Sequence, residues 1–208
     1  MLGSSAPDGP AMTGPSRFGY AFVIALPPQA NRELRRWAAA TPGASWDASG
    51  GHVTLARLTG DVLPRSLVPR FVEACGGYQA FEVKLCVPVR EPYWDKPGLE
   101  IVMLAGSGHD DVSGLFDLRR RLVASMPGRV HLLEGGASYL PHITLTTGLS
   151  PRKARALERA ASGLELRFTA HEVVYWSGAE TAEESAAADL PWRVIHRLTL
   201  PRQRRRAG

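Results

Sequence analysis

Two short segments of the chain, Gly51-His52-Val53-Thr54-Leu55 and Pro141-His142-Ile143-Thr144-Leu145, spell nearly the same thing. Each sets a histidine two residues before a threonine, inside a β-branched, aliphatic run of strand character. Side chains at i and i+2 of a strand leave the same face, so each segment points an imidazole and a hydroxyl one way. Histidine exchanges protons near neutrality and serves as base or acid. Two of them on opposite sides of a phosphorus could activate water and protonate the leaving oxygen of a phosphodiester. The threonine hydroxyls could then donate to the non-bridging oxygens, where charge gathers in the transition state. No metal or other cofactor is needed for that scheme. Zincin-type ligands would stand one helical turn apart, which His52/Thr54 and His142/Thr144 do not.

The elements that must position these pairs come in a repeated order. Phe18 to Leu26 is an apolar run stopped by Pro27-Pro28, a strand and its terminator. Ala30, Leu34, Trp37 and Ala38 form the apolar stripe of a helix over Gln29 to Ala40. The first His-x-Thr strand covers Gly51 to Leu58, a helix spans Pro64 to Ala74 before Gly76-Gly77, and a strand runs from Phe81 to Val87. The second round starts with a strand over Leu99 to Ala105 and a helix over Asp110 to Met126. The second His-x-Thr strand follows at Leu140 to Thr147. Ser150-Pro151 opens a helix that Gly163 closes, and strands at Leu164 to Tyr175 and Trp192 to Leu200 end the series. His52 and His142 lie 90 residues apart, and Phe81 and Phe168 lie 87 apart. The halves share pattern more than identity, which predicts an α+β protein of two lobes related by a pseudo-two-fold axis. A cleft between lobes is a usual place for a ligand.

Composition bounds the rest. The chain has 208 residues, 44% of them hydrophobic and 22% charged, proportions ordinary for a globular protein. No run is long enough for a membrane-spanning helix. Met1–Ser16 reads as a disordered Gly/Pro/Ser-rich leader without the marks of a signal peptide, and Arg202–Gly208 as a basic tail. Arg202, Arg204, Arg205 and Arg206 carry four charges of a net +5, so the body is nearly neutral. The composition therefore does not call for long nucleic acid as a partner. Cys75 and Cys86 are expected as free thiols in a reducing cytoplasm, a disulfide between them being the alternative. A monomer is the default for a bilobal fold whose lobes bury one another.

The two motifs, with the opening run Arg17-Phe18-Gly19-Tyr20-Ala21-Phe22-Val23-Ile24-Ala25-Leu26-Pro27, resemble the 2H phosphoesterase superfamily. The style is that of its branch described as 2′-5′ RNA ligase or RNA 2′,3′-cyclic phosphodiesterase, and the resemblance spans Arg17–Pro201. It implies a duplicated bilobal fold with two antiparallel sheets around a central cleft and helices outside. It also implies His52 and His142 as general base and acid in an order left open, and Thr54 and Thr144 as phosphate holders. The implied substrate is a nucleotide or RNA-end phosphodiester, above all a 2′,3′-cyclic phosphate. 2′-5′ ligation, a non-catalytic nucleotide- or RNA-end-binding module and a metallohydrolase are the rivals. That branch commonly carries a basic residue soon after the second motif, where Thr146-Thr147-Gly148 stands here. Arg57 follows the first motif instead, and strict alternation puts it off the His52 face. Tyr139 and Trp94 are candidates for stacking on a nucleobase. His171 and His196 could approach the cleft but suit surface or structural roles, as His109 suits a helix start. Glu180 to Asp189 reads as a mobile surface loop.

Overall fold

The opening apolar run folds as strand β1 (Phe18–Ala25), with Tyr20, Phe22 and Ile24 turned into the main core and Ala21 and Val23 to the opposite face. The computed structural model describes residues 18–44, 46, 51–93, 96–132, 139–178 and 193–202. The leader, Trp94, the 180–189 segment and all of the tail except Arg202 therefore lie outside the described residues. After β1 comes α1 (Pro28–Ala40), started by a proline in its first turn and burying Ala30, Leu34 and Ala38, the i, i+4, i+8 stripe of an amphipathic helix. β2 (His52–Gly60) carries the first motif. A 3₁₀ turn (Pro64–Leu67) leads into α2 (Val68–Cys75), so the helix expected over 64–74 begins in the tighter form.

Next come β3 (Phe81–Leu85), β4 (Val87–Pro92), β5 (Glu100–Ala105), α3 (His109–Ser125), β6 (Val130–Leu132) and β7 (His142–Leu149). They are followed by α4 (Pro151–Ala160), β8 (Leu166–Ala170), β9 (Glu172–Ser177) and β10 (Arg193–Thr199). One sheet has the order β10-β9-β1-β2-β6, a second the order β4-β5-β7, and β3 and β8 form a separate two-stranded ribbon. Every pairing is antiparallel.

The duplication shows in the registers. Ala25, Ile24 and Val23 of β1 stand opposite His52, Val53 and Thr54. Ala105, Leu104 and Met103 of β5 stand opposite His142, Ile143 and Thr144 in the same way. The ribbon pairs the two halves with each other, Phe81 opposite Ala170 and Leu85 opposite Leu166.

Two segments expected as single strands are thus each divided between ribbon and sheet. The first, expected over Phe81 to Val87, breaks at Cys86 after β3, and β4 runs on from Val87 past the expected end to Pro92; the second breaks at His171 into β8 and β9. Period-two alternation continues across a change of sheet, which hides the break. The short β6 carried too little pattern to be expected. Gly163 does not close α4; the helix ends at Ala160 with Ala161 as its cap, and Gly163 is not among the positive-φ glycines. Ser150 occupies the N-cap position without a side-chain capping bond.

Aromatic packing holds the larger lobe. Phe22 stacks on Phe71 with centroids 5.5 Å apart and meets Tyr175 at 5.2 Å. The Tyr175 hydroxyl donates to the Pro64 carbonyl at 3.0 Å, and burial raises its pKa above the ordinary phenol value. Burial likewise pushes the Cys75 thiol up to about 12, and both cysteines are free. Replacing Phe22 with alanine is expected to lower stability by about 3–5 kcal/mol, read as a lower urea midpoint with an unchanged m-value.

Candidate active site

β2 and β7 alternate regularly only as far as the threonines. Val23 faces Thr54 while Phe22 faces Ala56, leaving Leu55 as an extra residue in β2. Met103 faces Thr144 while Val102 faces Thr146, leaving Leu145 extra in β7. A β-bulge of this kind bends the strand and switches which residues share a face. Two consecutive residues are accordingly buried in each strand, Leu55 with Ala56 and Leu145 with Thr146. Beyond the bulge, Arg57 and Thr147 come round to the face of the histidines.

The two motif faces meet at a cavity of about 630 Å³ between the five- and three-stranded sheets, lined by His52, Thr54, Arg57, His142, Thr144 and Thr147 among others. Arg57 was expected off the His52 face and is on it, because the bulge overrides alternation. The sequence held a signal: unbroken alternation would have buried a guanidinium in the row of Val53 and Leu55. The residue that follows the first motif onto this face is thus a cation, Arg57, and the one that follows the second is a hydroxyl, Thr147.

The cavity walls are the inward faces of the sheets. Across the larger sheet, Trp176 stands opposite Ala21, which stands opposite Arg57. Across the smaller one, Glu91 stands opposite Ile101, and Thr147 lines the same wall. Trp176 lies two residues beyond the partner of Val23, and Glu91 two beyond the partner of Met103. These two are therefore pseudo-equivalent, an indole on one lobe answering a carboxylate on the other. The Trp176 ring meets His52 edge to face, 4.7 Å between centroids. Trp176 and Glu91 escaped the sequence reading because the expected strands stop short of them, at Tyr175 and Val87, whereas β9 and β4 run on to Ser177 and Pro92.

Local contacts set the histidines. His142 Nδ1 lies 2.7 Å from the Leu140 carbonyl. A carbonyl only accepts, so Nδ1 carries hydrogen and the lone pair of the neutral ring is at Nε2. In front of His52, the Gly51 amide donates to Asn31 Oδ1 at 2.7 Å, and Asn31 Nδ2 donates to the Leu26 carbonyl at 2.9 Å. A Cβ at Gly51 would fall 2.5 Å from the Trp46 ring and 2.7 Å from Leu26.

Tyr139 lines the cavity, but the Arg119 guanidinium lies over its ring at 4.6 Å and its hydroxyl donates to the Thr54 carbonyl at 2.9 Å. His171 binds the Thr169 carbonyl through Nδ1 at 3.1 Å beside a different cavity, and His196 packs on Phe71 at 5.8 Å. His109 begins α3 and packs against Phe116. Among the described residues no cluster of three or more His, Cys, Asp or Glu side chains has the geometry to hold a metal ion, and no helix is long and apolar enough to cross a membrane.

No protein-family model matches the sequence, and no curated protein matches it. Solved structures do match. E. coli LigT complexed with 3′-AMP superposes with a TM-score of 0.55 at 17% identity, over 89% of this chain and 99% of that one. The chain has the fold of LigT. A structure described as a phosphoesterase matches at TM-score 0.54 and 17% identity, over 90% of this chain and all of the other. TT0787 of Thermus thermophilus matches at 0.52 and 13%, over 89% and 100%. The LigT-like architecture agrees with the bilobal α+β arrangement expected from the motifs.

Two outcomes follow for this site. Gly51→Ala is expected to cost about 1–3 kcal/mol through overpacking against Trp46 and Leu26, seen as a lower melting temperature. Arg57→Ala is expected to weaken inorganic phosphate binding about tenfold or more, measured by calorimetry at low salt.

Proposed function

We propose that the chain is a metal-independent phosphodiesterase that opens a 2′,3′-cyclic phosphate on a nucleotide or RNA end. One observation carries the reading: two His-x-Thr pairs, on strands of matching register, face a single cavity. LigT, which shares the fold, has been solved with 3′-AMP and with phosphate, and a nucleotide phosphate suits the same cleft here.

In this reading Thr54, Thr144 and the Arg57 guanidinium hold the non-bridging oxygens. Trp176 offers the aromatic wall for a nucleobase, which puts the ribose, and with it the leaving oxygen, on the His52 side. Water then approaches from the His142 side. The Nε2 lone pair of His142 takes a proton from water as its oxygen attacks phosphorus. The P–O3′ bond breaks in line, and His52 gives O3′ a proton. The products are a 2′-phosphomonoester and a free 3′-hydroxyl. Bulk water favours this direction over 2′-5′ ligation.

The test is turnover of 2′,3′-cyclic mononucleotides in EDTA. Wild-type activity should persist, and His52→Ala and His142→Ala should each lower kcat by about 10²–10⁴-fold. Loss of wild-type activity in EDTA would point to a metallohydrolase. Tight binding of the cyclic nucleotide without turnover would make the chain a binding module.

A further inference from the structure

The residues just before the second motif touch both halves of the site. Tyr139 reaches the first motif with its side chain, donating its hydroxyl to the Thr54 carbonyl at 2.9 Å. Leu140 reaches the second motif with its backbone, its carbonyl taking the Nδ1 hydrogen of His142 at 2.7 Å. One dipeptide thus bonds to the strand that presents His52 and to the ring of His142. Among the described residues β6 pairs with β2 at Leu58–Gly60, and the Tyr139 hydroxyl meets β2 nearer its motif end, at Thr54.

The brace is itself held. The Arg119 guanidinium covers the Tyr139 ring at 4.6 Å from its centroid, and Phe116 meets that ring edge to face at 5.3 Å. Both belong to α3, which packs on β3, α2 and β2. Nε and Nη2 of Arg119 are buried without a hydrogen-bond partner. The charge is therefore met by the π face of Tyr139, an attraction that strengthens when water is excluded. Proton transfer across a shared phosphate needs its two partners fixed to within a fraction of an ångström. The motifs sit on different sheets, so something must set their spacing.

We propose that Tyr139 is a positioning residue that fixes the two half-sites relative to each other, through the Thr54 backbone on one side and Leu140 and His142 on the other. Its kinetic consequence rests on the phosphodiesterase reading; its geometric consequence does not. Tyr139→Phe removes one oxygen and keeps the ring under Arg119. On a 2′,3′-cyclic mononucleotide it should lower kcat about tenfold, leaving KM and melting temperature nearly unchanged. In a His142→Ala background the same change should cost nothing further, because the group it aligns is gone. Without substrate, the ¹⁵N imidazole signals of His142 should change from one Nδ1–H tautomer to an exchanging mixture in Tyr139→Phe. Unaltered imidazole signals would overturn the proposal, as would kinetic losses that multiply. If the wild-type chain turns over no cyclic phosphate, the functional reading fails and the imidazole signals still decide this one.

Discussion

The antiparallel pairing of β3 with β8 is the constraint on which the site depends. It joins the two halves of the chain strand to strand, Val83 opposite Phe168 at its middle, and antiparallel pairing of equivalent strands is what a two-fold axis produces. Each strand then changes sheet, β3 running through Cys86 into β4 and β8 through His171 into β9. Each half thereby contributes a strand to the other half's sheet. The lobes cannot separate without breaking that exchange, so the cleft between them has fixed walls. The motif strands are placed on those walls by copies of one register.

Symmetry supplies the paired His-x-Thr faces, and departures from symmetry make the two sides of the cleft differ. The bulges at Leu55 and Leu145 bring a fifth position after each histidine onto the cleft face. That position is Arg57 on one lobe and Thr147 on the other. The wall position beside it is Trp176 on one lobe and Glu91 on the other. A site symmetric in all these groups would bind a substrate either way round. Here a cation and an aromatic ring lie on the His52 side, facing a hydroxyl and a carboxylate on the His142 side.

Much of this was legible in the sequence for identifiable reasons. The His-x-Thr pairs could be placed because β-branched neighbours mark strands and i, i+2 spacing fixes a common face. α1 could be placed because Ala30, Leu34 and Ala38 recur at helical spacing, and α4 because Ser150-Pro151 opens it. Arg57 was misplaced because one inserted residue inverts every later side chain, and a bulge has no composition of its own. β9 was merged with β8 because alternation records the face of a strand and not the sheet it joins, and most of β4 lay beyond the expected strand end at Val87. Tyr139 was a candidate for stacking on a nucleobase, and the bond of its hydroxyl to the Thr54 carbonyl left no mark in the sequence.

The central claim is that the two pairs form one phosphate site. The most direct test is an NMR titration of the ¹⁵N-histidine-labelled chain with a nucleoside 2′-monophosphate. The account expects the imidazole nitrogens of His52 and His142 to shift along a single isotherm, with one ligand bound per chain. Separate isotherms, or movement of one histidine alone, would contradict it.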